Sequence, residues 1–119
     1  MIRTLAAVSL AALALGAGAA HASMHRTTLK ISTASGMAMK YTASTLKAKA
    51  GKVTIVMKNV SLLPHDVAIK GHGVHAKGKL VTKGGISTVT AKLKRGRYEF
   101  YCTVPGHEQA GMKGTLTVK

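Results

Sequence analysis

Apolar and polar residues alternate along most of the chain, and a helical period is scarce. Leu29 and Ile31 alternate with Lys30 and Ser32, while Val53, Ile55 and Met57 share one face opposite Thr54, Val56 and Lys58. The pattern returns at Val67 and Ile69, at Val89, Ala91 and Leu93, at Tyr98, Phe100 and Cys102, and at Leu116 and Val118. Such runs, bounded by Gly, Asn and Pro, are strands, because successive side chains of an extended backbone point to opposite faces. Turn residues separate them at Ala50-Gly51-Lys52, Lys83-Gly84-Gly85 and Lys94-Arg95-Gly96. Many short strands at near-even spacing predict an all-β fold, an antiparallel sandwich or small barrel. Residues 71–85 break the rhythm. Rich in Gly and Lys, and holding His72 and His75, they predict a long, mobile excursion with both histidines on a solvated surface.

The first residues follow a different logic. Arg3 supplies one positive charge, Leu5 to Leu15 form an apolar run rich in Ala and Leu, and Ala20-His21-Ala22 places small residues around a His. That order predicts a secretory signal peptide over residues 1–22, with an apolar run too short to span a bilayer. The remainder, residues 23–119, is expected to be one domain, periplasmic or secreted.

Composition sharpens this picture. The 119 residues carry 18 Lys+Arg against 3 Asp+Glu, a formal net charge of +15. Removing the leader takes away only Arg3, so the exported domain would carry 17 − 3 = +14. With 46% apolar residues the chain is too hydrophobic for a disordered basic tail. Three acids leave little room for a carboxylate-pair enzyme or an oxygen-ligand calcium site. The single Cys excludes an internal disulfide and leaves an unpaired thiol in an exported protein.

That thiol is the key to the chemistry. The strand Arg97-Tyr98-Glu99-Phe100-Tyr101-Cys102 runs into Thr103-Val104-Pro105-Gly106-His107-Glu108-Gln109-Ala110-Gly111-Met112, and a strand resumes at Lys113. Four residues separate Cys102 from His107, and four separate His107 from Met112. Pro105-Gly106 and Gly111 supply bends that let the three side chains turn toward one centre. His65, in Leu63-Pro64-His65-Asp66-Val67, is the candidate for a fourth donor from elsewhere in the chain. Two imidazoles and a thiolate with a weak axial thioether form the ligand set of an electron-transfer copper site.

Pro-His-Asp-Val, followed by Tyr-x-Phe-Tyr-Cys-x4-His-x4-Met and a final strand, resembles the cupredoxins, the blue type 1 copper proteins. The likeness covers residues 24–119; its loop spacing is closer to rusticyanin and auracyanin, its Cys-bearing strand to plastocyanin. The resemblance implies a Greek-key β-sandwich of about eight strands, with one copper ion at one end held by His65, Cys102, His107 and Met112. It implies that Asp66 bonds the backbone near Thr103 and that electrons pass through the edge of His107. An apolar rim of Leu62, Leu63, Pro64, Val104, Pro105 and Ala110 would surround that edge. Tyr101 matches a tyrosine that in plastocyanins lies in a second, acidic docking area, whereas the sequence nearby here is basic.

Four protein ligands leave no open position for a substrate, so the expected role is a one-electron carrier and not an enzyme. A basic carrier should meet an acidic redox partner, such as a cytochrome or an oxidase, as a monomer. Nucleic acid is disfavoured because the positive residues are spread along every strand and only four aromatics could stack on bases. Peripheral contact with an anionic membrane or cell-wall surface is compatible with the charge. The alternative from another class is envelope copper binding and delivery through the same ligands. A cysteine hydrolase is weaker, since Cys102 and His107 share one loop and no third orienting group is evident.

Overall fold

The computed structural model describes residues 24–119, so the leader expected at 1–22 lies outside the described residues. Eight strands form in the places where the alternation is strongest. They are β1 (His25–Ser32), β2 (Thr45–Ala48), β3 (Gly51–Lys58), β4 (Ala68–Gly71), β5 (Val74–Lys77), β6 (Ile86–Leu93), β7 (Gly96–Tyr101) and β8 (Lys113–Val118). They build two sheets, one ordered β1-β3-β6 and the other β2-β8-β7-β4-β5. The all-β sandwich expected from the sequence is present.

Within it, two ladders run parallel where antiparallel pairing was expected, β1 with β3 and β2 with β8. The cause is the order in which the chain changes sheet. Residues 33–44 carry it from the end of β1 to β2 in the opposite sheet, and a short turn after Ala48 returns it to the first sheet as β3. Two reversals leave β3 beside β1 and pointing the same way, which no hairpin could achieve. The remaining ladders are antiparallel.

The inward faces meet in one core. Val53, Ile55 and Met57 of β3 and Val89 and Leu93 of β6 pack toward Ile69 of β4, Tyr98 and Phe100 of β7, and Leu116 and Val118 of β8. All are buried. Phe100 lies directly over β8 at Gly114, where a Cβ would come within 2.2 Å of its ring. Only glycine fits there, and the register of β7 on β8 is thereby fixed.

Residues 71–85 are not the free excursion that their composition suggested. His72 (φ 49°) and Gly73 (φ 78°) make a tight turn between β4 and β5, as successive left-handed residues do in two-residue hairpins. The segment after β5 is then laced to the strands beside it. Gly78 N donates to Val67 O, Val81 exchanges two backbone hydrogen bonds with His65, and Asn59 N donates to Gly85 O. Glycine and lysine content reported the turns and the solvent face but carried no information about these backbone partners. His72 is exposed and its ring sits 5.0 Å from that of Tyr98, while His75 is exposed on β5.

Candidate metal centre

Register brings the chemical residues together. Ala68 of β4 faces Tyr101 of β7. Continuing that antiparallel ladder places Val67 opposite Cys102 and Asp66 opposite Thr103, with His65 one residue beyond. On the other side Tyr101 faces Lys113 of β8, so Cys102 falls opposite Met112, and Cys102 N donates to Met112 O at 3.1 Å. Residues 103–111 are therefore a loop closed by its own strand pair. His107 N donates to Val104 O, Ala110 N to Gly106 O and Met112 N to His107 O. These successive turns, with left-handed Gly106 and Gly111, curl His107 back over Cys102.

Three donor atoms converge at that point. His65 Nδ1 and His107 Nδ1 are 3.1 Å apart, and Cys102 Sγ lies 3.8 Å from the first and 3.6 Å from the second. All three residues are buried. A point in their plane equidistant from the three atoms lies about 2.0 Å from each, close to the radii at which imidazole and thiolate bind a first-row transition metal. The donor set and its size thus fit a metal ion. Met112 is fully buried, with its backbone held between Cys102 and His107.

The local electrostatics favour neutral donors. Burial holds the His65 imidazole below its usual pKa, and the neighbouring His107 ring lowers it further. Burial raises the Cys102 thiol above its usual range. His65 Nε2 is enclosed without a hydrogen-bond partner. The productive contact of this ring is through Nδ1, toward the other two donors.

Asp66 behaves as the sequence resemblance implied. Its Oδ1 accepts from Thr103 N at 2.7 Å and its Oδ2 accepts a short bond from the Thr103 hydroxyl. The residue is only 3% exposed, so these bonds join the segment of His65 to that of Cys102 away from water. Tyr41, missed in the sequence, donates to Asp66 O at 2.6 Å, and burial raises its phenol far above the usual range. Tyr101 has basic neighbours, as its sequence context suggested, with Lys113 opposite it and Lys77 nearby, but acids join them. Lys70 lies over its ring at 4.2 Å but binds Glu108 at 2.5 Å and Glu99 at 3.2 Å, which makes a mixed ion-pair cluster. Lys70, Glu99 and Glu108 thus tie loop 103–111 to β4 and β7.

A second support was also missed. Asn59 is fully buried after β3, and its side chain makes four hydrogen bonds. Nδ2 donates to Leu63 O and Val81 O at 2.9 Å each, while Oδ1 accepts from Ser61 N at 2.9 Å and Thr33 Oγ1 at 3.3 Å. This fixes the Ser61-to-Pro64 bend that delivers His65. The Asn-x-Ser pair at a strand end, with Asn59 six and Ser61 four positions before His65, was the available signal.

Comparison with known proteins agrees with this geometry. A sequence model of copper-binding proteins of the plastocyanin/azurin family matches residues 27–119. Azurin of Pseudomonas aeruginosa is 45% identical over 62 residues, a stretch covering 49% of this chain and 38% of that protein. Among solved structures, reduced auracyanin from Roseiflexus castenholzii aligns with a TM-score of 0.68 at 25% identity, covering 77% of this chain and 96% of that one. Auracyanin A of Chloroflexus aurantiacus, a "blue" copper protein, aligns at 0.67 and 23% identity over 80% and 100% of the two chains, a likeness of fold. With two imidazoles and one thiol converging at the end of a two-sheet sandwich, and a family match across the whole domain, this chain belongs to the plastocyanin/azurin family of copper-binding proteins, the cupredoxins.

Proposed function

We propose that the chain is an exported one-electron carrier whose single copper ion is held by His65, Cys102, His107 and Met112. The observation that carries the reading is the buried triangle of two imidazole nitrogens and one sulfur, with edges of 3.1, 3.6 and 3.8 Å. A copper ion there would supply a centre able to alternate between Cu(I) and Cu(II). The protein's part is to keep the donors still. Cys102 and Met112 are locked by a strand pair, His65 by its two bonds to Val81, and His107 by the turns of its loop. Donors that cannot move favour small rearrangement between oxidation states, which fast transfer requires. Burial excludes water, and four side chains leave no position for a substrate, so catalysis is not part of the reading.

His107 retains 9% exposure and is the ligand that reaches toward solvent. The segments around the ligands expose Leu62, Pro64, Pro105 and Ala110, with Leu63 and Val104 half-buried. A small apolar contact of this kind supports brief docking of a monomer. The excess of positive charge selects an acidic redox protein, such as a cytochrome or an oxidase, with rates that fall as salt rises. Periplasmic or secreted placement follows from the expected leader.

Adding Cu(II) to the purified protein tests the centre. An intense blue or green colour, lost in Cys102→Ser, is expected; a colourless protein, or a colour that survives the substitution, refutes it. Reversible one-electron cycling with rapid self-exchange supports the carrier. Copper transfer to an apo-acceptor without such cycling would support delivery through the same ligands.

A further inference from the structure

Two thioethers stand in solvent one residue apart. Met37 is 62% exposed and Met39 36%, whereas Met57 and Met112 are fully buried in the core. Met37 and Met39 sit on the connection between β1 and β2, in the tight loop 34–40. The loop closes on itself through Ala34 N donating to Lys40 O at 2.8 Å and through the bridge between Thr33 and Tyr41. It is also fastened to the segment that leads into His65. Leu62 N and Ser61 Oγ both donate to Gly36 O, each at 2.9 Å. The loop therefore stands at the end of the sandwich that carries the buried donors. Met24, also exposed, precedes β1 at the other end.

Packing does not account for Met37, most of which is left in water, and Met39 keeps 36% of its surface exposed beside it. A thioether differs from a leucine side chain chiefly in being a soft, uncharged donor that selects Cu(I). No carboxylate lies in Ala34-Ser35-Gly36-Met37-Ala38-Met39-Lys40, so hard cations find nothing to bind, and Lys40 repels an ion held by charge alone. We propose that Met37 and Met39 form an outer Cu(I) site that accepts copper from a donor and passes it to the buried donors. The role rests on the reading of His65, Cys102 and His107 as a copper site. Two thioethers bind weakly and leave coordination open to a third ligand from the donor, which suits a point of transfer. The passage is ligand exchange at constant oxidation state. Thioether–copper bonds break, imidazole– and thiolate–copper bonds form, the Cys102 thiol proton goes to solvent, and no electron moves.

The test is a titration of the full domain with Ag(I), a diamagnetic stand-in for Cu(I), in wild type and in Cys102→Ser. The ε-methyl NMR signals of Met37 and Met39 should shift in both proteins, and the double variant Met37→Leu/Met39→Leu should lose the exposed-site response. Unmoved Met37 and Met39 signals overturn the site. Loading of apoprotein from a Cu(I) chelate should slow on the order of tenfold in the double variant, with the same final copper content. Leucine keeps the apolar surface, so loading at the wild-type rate means that the pair is only part of a docking rim and overturns the relay. If the buried centre itself were misread, the wild-type protein would stay colourless with Cu(II) while the Ag(I) shifts persisted, which separates the two failures.

Discussion

Asn59→Ala removes a side chain that touches no metal donor yet should affect both stability and the copper centre. Four hydrogen bonds disappear, but their losses are unequal. Val81 O still accepts from His65 N at 3.0 Å, and Thr33 Oγ1 loses only a long 3.3 Å bond while still accepting from Val60 N at 3.0 Å. Leu63 O and Ser61 N lose the partner that Asn59 gave them, at about 1 kcal/mol each, and the vacated amide volume adds roughly 1 kcal/mol. The expected loss is therefore about 3 kcal/mol, which in a domain of this size lowers Tm on the order of 15 °C. Urea unfolding of the apoprotein measures the first figure without a contribution from metal binding. The copper form adds a second readout. Because Asn59 holds the bend before His65, the visible band of the loaded variant should shift and its copper should leave more readily. A stability loss below about 1 kcal/mol, or a loaded spectrum identical to wild type, refutes the argument that this network positions His65.

Asp66→Ala removes the two acceptors that bind Thr103. The reduction potential or copper retention should change, and electrochemistry with a chelator-challenge assay showing neither would sink the link between the segments. The pH dependence of the apoprotein should report His65. Its folded pKa lies below the unfolded value of 6.5, so the unfolded chain takes up the proton first and stability falls as pH drops below that value. Urea midpoints that stay flat from neutral pH to the carboxylate range contradict this; His65→Gln should flatten them. Lys70→Met releases Glu108, whose carboxyl is held below its usual range by the hydrogen bond from Lys70. Since a depressed carboxyl stabilises above its unfolded pKa and ceases to do so in acid, the wild-type advantage should be present at neutral pH. It should vanish as pH falls through the folded pKa, and a constant difference would exclude the ion pair as its cause.

The strands and the short Cys–His–Met loop were legible because each rests on local rules. Period two marks a face, and Gly106 and Gly111 mark bends, with no knowledge of partners required. The backbone of Met112 closes that loop onto Cys102 at the next ladder pair. His65 needed the resemblance, since only the β4–β7 register carries it to within 3.8 Å of a sulfur 37 residues away. Strand direction was not legible: β1 and β3 both alternate correctly, and alternation is blind to whether the chain has changed sheet between them. Composition misled at residues 71–85, where glycine-rich sequence is pinned by Val81 to His65 and by Gly84 and Gly85 to Asn59. Backbone groups make those bonds, and backbone groups leave no trace in residue identity.

The same contacts explain where the few acids go. Asp66 faces Thr103, and Glu99 and Glu108 share Lys70, so all three acids act beside the ligand loop or on the strands that flank it. Each holds a segment that bears a donor or adjoins one. None is left to balance the lysines that line the outward faces of β2, β3 and β6, among them Lys47, Lys58 and Lys92, which are exposed. The excess charge of the domain is thus carried largely by exposed side chains that no acid pairs, while the end holding the buried donors is locally mixed in charge, with Lys77 and Lys79 beside Asp66 and Lys70 between two glutamates. On the proposed reading, attraction of an acidic partner and docking at His107 would have separate structural bases: a broad cationic field would set the rate of encounter, and a small apolar rim the contact. Substituting Lys47 or Lys92 by Gln should therefore reduce the salt dependence of association and leave the visible spectrum of the copper form unchanged.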